Sequence, residues 1–159
     1  MFGYGIDLDT CKLKKEANKL LEELVMKTKK TKETYLSYSI DRAAYPDMTD
    51  MTDMEFEKEL RDSRIEAYEN DIHIWGDFEG LLADVINETE FGTRYGESGR
   101  TFYLDAGCLA VLATVPKDDE ERAKLLTQKE IRDILTKYLN IFAEEPEKIE
   151  VKWIQMPDD

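Results

Sequence analysis

Asp7, Asp9 and Thr10 are the residues of this chain whose types and spacing come closest to a reactive group. They stand in Asp7-Leu8-Asp9-Thr10, which places two carboxylates and a hydroxyl close together in the sequence. An aspartate can accept a phosphoryl group as a covalent nucleophile when a neighbouring acid assists the transfer. Phosphoryl transfer is therefore the first chemistry that these residues suggest.

This quartet is similar to the Asp-x-Asp-x-Thr motif of phosphate-transfer enzymes of the haloacid-dehalogenase type, which directly follows a buried strand. The threonine here comes one residue too early, and the preceding Tyr4-Gly5-Ile6 is a poor pattern for such a strand. The basic and acidic motifs that follow in those enzymes are not evident. Because Asp9 and Thr10 precede an apolar helical pattern, we interpret Asp9, or alternatively Thr10, as a helix cap.

His73 is the only histidine, and Ile72-His73-Ile74-Trp75 predicts a short strand around it. A Cys-His or Ser-His-Asp arrangement needs only that its members meet in space, so Cys108 and His73 are one formal pair. Structural zinc usually takes four Cys or His ligands, and the chain has one His and two Cys. A structural role for His73 is simpler, so we expect no catalytic residue, no metal and no cofactor.

Two further segments have the composition, but not the spacing, of ligand-binding loops. The aspartates of 47–53 recur at every third position, whereas calcium loops place ligands at every second position and a glycine at the turn. The glycines of 92–99, followed by Arg100, lack the Gly-x-x-x-x-Gly-Lys-Ser/Thr order that holds phosphates. We interpret the first segment as an acidic edge and the second as a hairpin or partner-contacting loop.

The charge of the chain is its most extreme property. There are 36 acidic and 22 basic side chains, a net charge of −14, and residues 47–159 carry 29 of the acids against 13 bases. The negative electrostatic field of such a chain repels nucleic-acid phosphates and anionic membranes, and it attracts basic protein surfaces. The lysines of 27–32, with Tyr35 and Tyr38 behind them, have the composition of a nucleic-acid contact, but the net charge favours a solubilising role.

The elements that must position these residues are predicted from apolar spacing. Helical steps predict four helices longer than two turns, and a short helix is expected from Asp118 to Leu126. The long helices run from Asp9 or Thr10 to Val25, from the capping box Thr52–Glu55 to Tyr68, from Asp77 to Gly92, and from the capping box Thr127–Glu130 to Phe142. Strands are predicted at 35–40, 72–75, 101–104, 108–115 and 148–155.

These elements predict an α+β fold, with about four helices packed on a small, mostly antiparallel sheet of four to five strands. The 159 residues, 42% of them apolar, suffice for one core, so residues 1–159 are expected to form a single domain. The first residues lack the features of a secretory signal, and the longest apolar run, 106–115, is shorter than the roughly twenty residues of a membrane helix. A cytoplasmic location is therefore expected.

The acidic surface is the property that most favours a particular function. Carboxylates one helical turn apart approximate the spacing of phosphates along a duplex strand. We therefore predict a non-enzymatic protein-binding module, an inhibitor that mimics nucleic acid and occludes a basic nucleic-acid-binding surface, in the manner of phage or mobile-element anti-defence proteins. The predicted partner-binding residues are Asp47, Asp50, Asp53, Glu55, Glu57, Glu59, Asp62, Glu66, Glu69, Tyr95, Asp118, Asp119, Glu120, Glu121 and Trp153.

Two alternative functions fit the same sequence. In the first, the domain self-associates, or assembles with another protein, through the loop 92–99 and the predicted edge strand 148–155. A homo-oligomer whose affinity is insensitive to salt is then expected. In the second, the chain is a small hydrolase that uses carboxylates, which requires an Asp or Glu with a strongly shifted pKa inside a pocket.

Overall fold

The computed structural model describes residues 1–29, 31, 52, 54–55, 58–59, 62, 78–93 and 99–157. Within these ranges, helices and an antiparallel sheet combine in an α+β fold, as the sequence predicts. The strands predicted at 35–40 and 72–75 lie outside the described residues. Most of the helix predicted from Thr52 to Tyr68 lies outside them as well.

In the described ranges the sheet has four strands, all antiparallel, in the order β2-β3-β1-β4. The strands are β1 Phe2–Asp7, β2 Phe102–Asp105, β3 Cys108–Leu112 and β4 Lys152–Gln155. β1 and β3 are therefore central, and β2 and β4 are the edges. β4 begins later than the predicted strand 148–155, because Pro146–Lys148 forms a turn of 3-10 helix.

β1 corrects the interpretation of Tyr4-Gly5-Ile6 as a poor strand. Residues 3–6 are all buried, and β1 pairs with β3 on one side and with β4 on the other. A β-carbon at Gly3 would lie 2.8 Å from the β-carbon of Ala110, and one at Gly5 would also collide with β3. Glycine therefore permits a close approach of the two strands, a requirement that apolar patterning does not reveal.

The hairpin of β2 and β3 turns at Ala106-Gly107, where the sequence predicts a connection. Both residues have positive φ, 47° for Ala106 and 80° for Gly107. A two-residue turn of this hand suits the right-handed twist of the strands that it joins. β3 is buried from Cys108 to Val111, as its central place in the sheet requires, but it ends at Leu112 rather than at the predicted Val115.

Three helices in the described ranges exceed two turns, rather than the four predicted. They are α1 Ala17–Lys27, α2 Phe78–Phe91 and α4 Gln128–Phe142, and the short helix α3 Asp119–Lys124 precedes α4. The capping box of α4 is confirmed, because Thr127 and Glu130 exchange hydrogen bonds of 3.1 and 2.7 Å. None of these helices is both long enough and apolar enough to cross a bilayer.

α1 begins later than predicted, and its N-cap is Glu16 rather than Asp9 or Thr10. Asp7 instead caps a short 3-10 turn, because its side chain accepts a hydrogen bond of 3.0 Å from the Asp9 amide. Residues 12–14 then hydrogen-bond with the chain at the end of α4. This tertiary pairing holds the segment extended, so the helix cannot start where the local sequence suggests.

The three long helices contribute to one core with the sheet. Strand residues point alternately to its two faces, and one set meets the helices. That core includes Tyr4, Ile6, Leu21, Val25, Val85, Ile86, Phe102, Leu109, Val111, Leu135 and Phe142. The other face is built of small side chains, where Cys108 and Ala110 form a second cluster with Met156.

Candidate partner-binding site

The outer edge of β4 presents backbone groups that no other strand of the described ranges pairs. On its inner side, β4 pairs with β1, and the Met156 amide donates to the Met1 carbonyl at 2.8 Å. Hydrogen-bonding direction alternates along a strand, so Lys152 and Ile154 also direct their backbone groups towards β1. Trp153 and Gln155 therefore direct theirs away from the sheet.

The opposite edge of the sheet differs, because a side chain covers it. Asn87 of α2 is buried, and its amide nitrogen donates to the Phe102 carbonyl of β2 at 2.9 Å. The Phe102 N–H donates in return to Asn87 Oδ1 at 2.8 Å. A side-chain amide thus occupies a position at β2 that a further strand would need.

Two partly exposed aromatic side chains stand on β4 and on its inner neighbour β1. Trp153 is 51% exposed and Phe2 is 55% exposed. Tyr4 lies opposite Trp153 and two residues from Phe2, so both exposed rings are on the helix-covered face of the sheet. The Trp153 ring meets buried Tyr4 edge-on at 5.4 Å between centroids, which orients the indole. Large aromatics held in this way are typical anchors of protein interfaces.

An open groove of about 340 Å³ lies between α4 and the chain that leads into β4. Its walls combine apolar, polar and charged side chains, including Arg132, Thr136, Asn140, Glu147, Ile149 and Val151. Val151 immediately precedes β4, so the groove reaches the same edge of the sheet.

The glutamate-rich segment, residues 144–150, carries four glutamates and one lysine. Glu144 pairs with Lys12 at 3.0 Å, and this hydrogen bond raises the pKa of Lys12. Glu145 and Glu150 pair with neighbouring lysines at 3.0 and 3.9 Å. Glu147 forms no ion pair with a described residue. Exposed pairs such as these contribute little to stability, so a partner's cations can replace them.

Apart from Trp153, the predicted partner-binding residues comprise two described groups and a set that lies outside the described residues. Asp118–Glu121 begin α3, where Asp118 Oδ1 accepts from the Glu121 amide at 2.8 Å and Glu120 pairs with Lys124 at 3.6 Å. Of these four acids, Glu121 is half-buried and the others are exposed. Glu55, Glu59 and Asp62 are described and exposed. The remaining acids and Tyr95 lie outside the described residues: Asp47, Asp50, Asp53, Glu57, Glu66 and Glu69.

Trp153 is the predicted residue that lies on the β4 edge. The alternation of Ile149, Val151 and Trp153 was the signal that placed it on a strand face. Phe2 was missed by sequence reasoning, whereas Glu147 belongs to an acidic segment, 144–150, that the sequence indicates, but it was not among the predicted partner-binding residues. Phe2 is recognisable only once β1 is known to be a strand, and Glu147 only once the groove is formed.

Asp7 and Asp9 contribute to an acidic cluster at the β2–β3 turn. A β-carbon at Gly107 would lie 2.7 Å from Asp9 Oδ2, and Asp105 Oδ2 is buried without a hydrogen-bond partner among the described residues. Burial raises the pKa of Cys108, and the charges of Asp7, Asp9 and Asp105 raise it further. Since the thiolate is the reactive form, these surroundings disfavour a cysteine nucleophile.

The surroundings of Cys11 also disfavour a reactive thiolate, because burial and then the charge of Asp7 raise the pKa of Cys11. His73, the base considered with Cys108, lies outside the described residues. Where side chains are described, no three His, Cys, Asp or Glu residues are grouped as a metal site requires. No protein-family model, curated protein or solved structure matches this chain, so its function is inferred from its own residues.

Proposed function

We propose that this protein is a non-enzymatic binding module that recognises a positively charged surface of another protein. The observation that carries the proposal is the pair of half-exposed rings, Trp153 and Phe2, close to an edge of β4 that no described strand pairs and to the glutamate-rich segment. Buried aromatics give an interface its residence time, and surrounding charges steer the encounter. Here Trp153 and Phe2 supply the aromatic rings, and the glutamate-rich segment supplies the charge.

The proposed partner is a protein with a basic nucleic-acid-binding surface, such as a nuclease. The net charge of −14 supports this class, because it opposes direct contact with nucleic acid or an anionic membrane. The exposure of Asp118, Asp119 and Glu120 at the start of α3 adds a second group of accessible carboxylates. We further propose that these acids and those of the glutamate-rich segment mimic duplex phosphates, and that the protein thereby inhibits its partner.

A second candidate function is self-association through the same sheet edge. It is favoured by the outer side of β4, which is unpaired within the described ranges, since an open edge is a template for another strand. The charge of −14 on each copy opposes it. Sedimentation equilibrium separates the two functions, because a stable dimer whose affinity is insensitive to salt supports self-association alone.

The test of the main proposal is a calorimetric titration of the protein with a basic nuclease. We expect a complex that weakens strongly between about 50 and 200 mM salt, as charge-driven recognition requires. Replacing Trp153 with alanine should weaken it by about 2 kcal/mol or more, the usual cost of losing an interface anchor. Tyr103→Ala is the matched control, because Tyr103 is an exposed aromatic on the other edge strand. Absence of a complex at low salt would contradict the proposal.

A further inference from the structure

We infer that the partner supplies an extended, basic segment that joins the sheet as a fifth strand along the outer edge of β4. This inference rests on the proposed function and specifies how the basic partner binds. Addition of a strand to a sheet edge is a common mode of peptide recognition, in which backbone hydrogen bonds supply affinity and alternate side chains supply specificity.

The backbone geometry of β4 supports strand addition. Trp153 and Gln155 are two residues apart, so their outward N–H and C=O groups have the spacing that one antiparallel neighbour needs. An unpaired edge invites such pairing, and proteins usually cover or interrupt their edges. Asn87 covers the edge of β2 through its two bonds to Phe102. Among the described residues, nothing equivalent is bonded to Trp153 or Gln155.

The side chains around β4 indicate which residues the added strand carries. A residue directly opposite Trp153 would face the helix-covered side of the sheet, where the exposed indole and the groove with Glu147 lie. Lysine or arginine there would meet the indole, and Glu147, which forms no ion pair with a described residue, adds negative charge in the groove. On the other side of the sheet, Ile154 packs against the cluster of Cys108, Ala110 and Met156, so an apolar neighbour fits beside it. The matching strand therefore alternates basic and apolar residues.

Charge decides between this occupant and a second copy of the chain. Each copy carries −14, and the glutamate-rich segment lies next to the strand that would pair. Two copies would each bring a net charge of −14 to the contact and repel one another, whereas a basic strand would be attracted. The structure thus favours a basic segment as the occupant.

The first test uses a short peptide of alternating lysine and valine as the probe. Calorimetry should detect binding, and amide hydrogen exchange should show new protection at Trp153 and Gln155, while Lys152 and Ile154 are already protected in the unbound protein. The same peptide methylated on every backbone nitrogen keeps its charge but has no N–H group to donate along either edge, so it should not bind. A glutamate–valine peptide should not bind either.

The second test is the variant Gln155→Pro. Proline removes an outward N–H, and its inner ladder bonds are unaffected because Gln155 makes none to β1. Affinity for the lysine–valine peptide should fall by roughly tenfold or more, because one backbone bond is lost and the ring obstructs the incoming strand. Glu147→Gln should also weaken binding of the peptide, and Glu130→Gln on the exposed first turn of α4 should not.

Three outcomes would overturn the inference. Equal binding of the methylated and unmodified peptides would leave the proposed function in place and assign recognition to side-chain charge. Protection of Trp153 and Gln155 in the unbound protein, with a dimeric mass, would assign the edge to a second copy. Binding of the basic nuclease without any peptide binding would also reject strand addition, whereas failure of the nuclease titration rejects the proposed function itself.

Discussion

Asn87 and Phe102 are joined by two hydrogen bonds, of 2.9 and 2.8 Å, in which a buried side-chain amide takes the place of a neighbouring strand. α2 thereby occupies the edge of β2 at Phe102, while no described residue is bonded to the outward backbone groups of Trp153 and Gln155. The asymmetry between the edges underlies the proposed binding site.

Replacement of Asn87 with alanine should strongly destabilise the protein. The N–H and C=O of Phe102 would lose their partners in a buried setting, and each unsatisfied group costs about 1–3 kcal/mol. The free energy of unfolding, measured by urea denaturation, should fall by roughly 2–4 kcal/mol. Asn140→Ala, on the exposed face of α4, should change it by less than about 0.5 kcal/mol. A similar small effect at Asn87 would show that the two bonds contribute little.

Gly3→Ala should destabilise the protein because β1 and β3 approach too closely for a side chain. The new β-carbon would lie 2.8 Å from that of Ala110, and overpacking of this kind costs about 1–3 kcal/mol. The loss should be smaller in an Ala110→Gly background, since the clashing atom is then absent. A double-mutant cycle by urea denaturation measures this coupling, and additive effects would refute the contact as the cause.

Thr127→Ala should remove the capping box of α4. Its hydroxyl accepts from the Glu130 amide at 3.1 Å, and loss of a cap of this type costs about 1 kcal/mol. Thr136→Ala is the control, because Thr136 is exposed in the helix interior, where alanine is the better helix former. Thermal unfolding should therefore show a lower midpoint for the first variant only. Equal midpoints would indicate that the cap does not contribute to stability.

Tyr138 should make the stability depend on pH in the alkaline range. Burial raises its pKa well above the ordinary value of 10.0, and its hydrogen bond of 2.9 Å to Glu90 and the charge of Glu90 raise it further. The unfolded tyrosine ionises near pH 10, so its contribution is complete below that pH and is lost as the pH rises further.

The test for Tyr138 compares the wild type with Tyr138→Phe from about pH 8 to about pH 11. At pH 8 the variant should be less stable by about 1 kcal/mol, because one hydrogen bond is missing. This difference should shrink above pH 10, since only the wild type loses stability through this group. Tyr103→Phe, at an exposed position, should show no such change. A constant difference for Tyr138 across the range would exclude the linkage.

Local sequence signals account for the parts of the fold that depend on neighbouring residues. The apolar spacing behind Thr127, the cap at Asp118 and the Ala106-Gly107 turn act within a few residues, so α4, α3 and the β2–β3 hairpin were predictable. The excess of acidic residues and the strand position of Trp153 also follow from sequence alone.

Only the tertiary structure decided the features that depend on residues far apart in the chain. Gly3 is required because Ala110 lies against it, Asn87 is buried because Phe102 needs its amide, and α1 starts late because 12–14 bonds to the end of α4. The exposure of Trp153 likewise depends on β4 being an edge strand. Composition and periodicity record what a segment prefers by itself, whereas strand order and close contacts arise from the packing of segments that the sequence keeps separate.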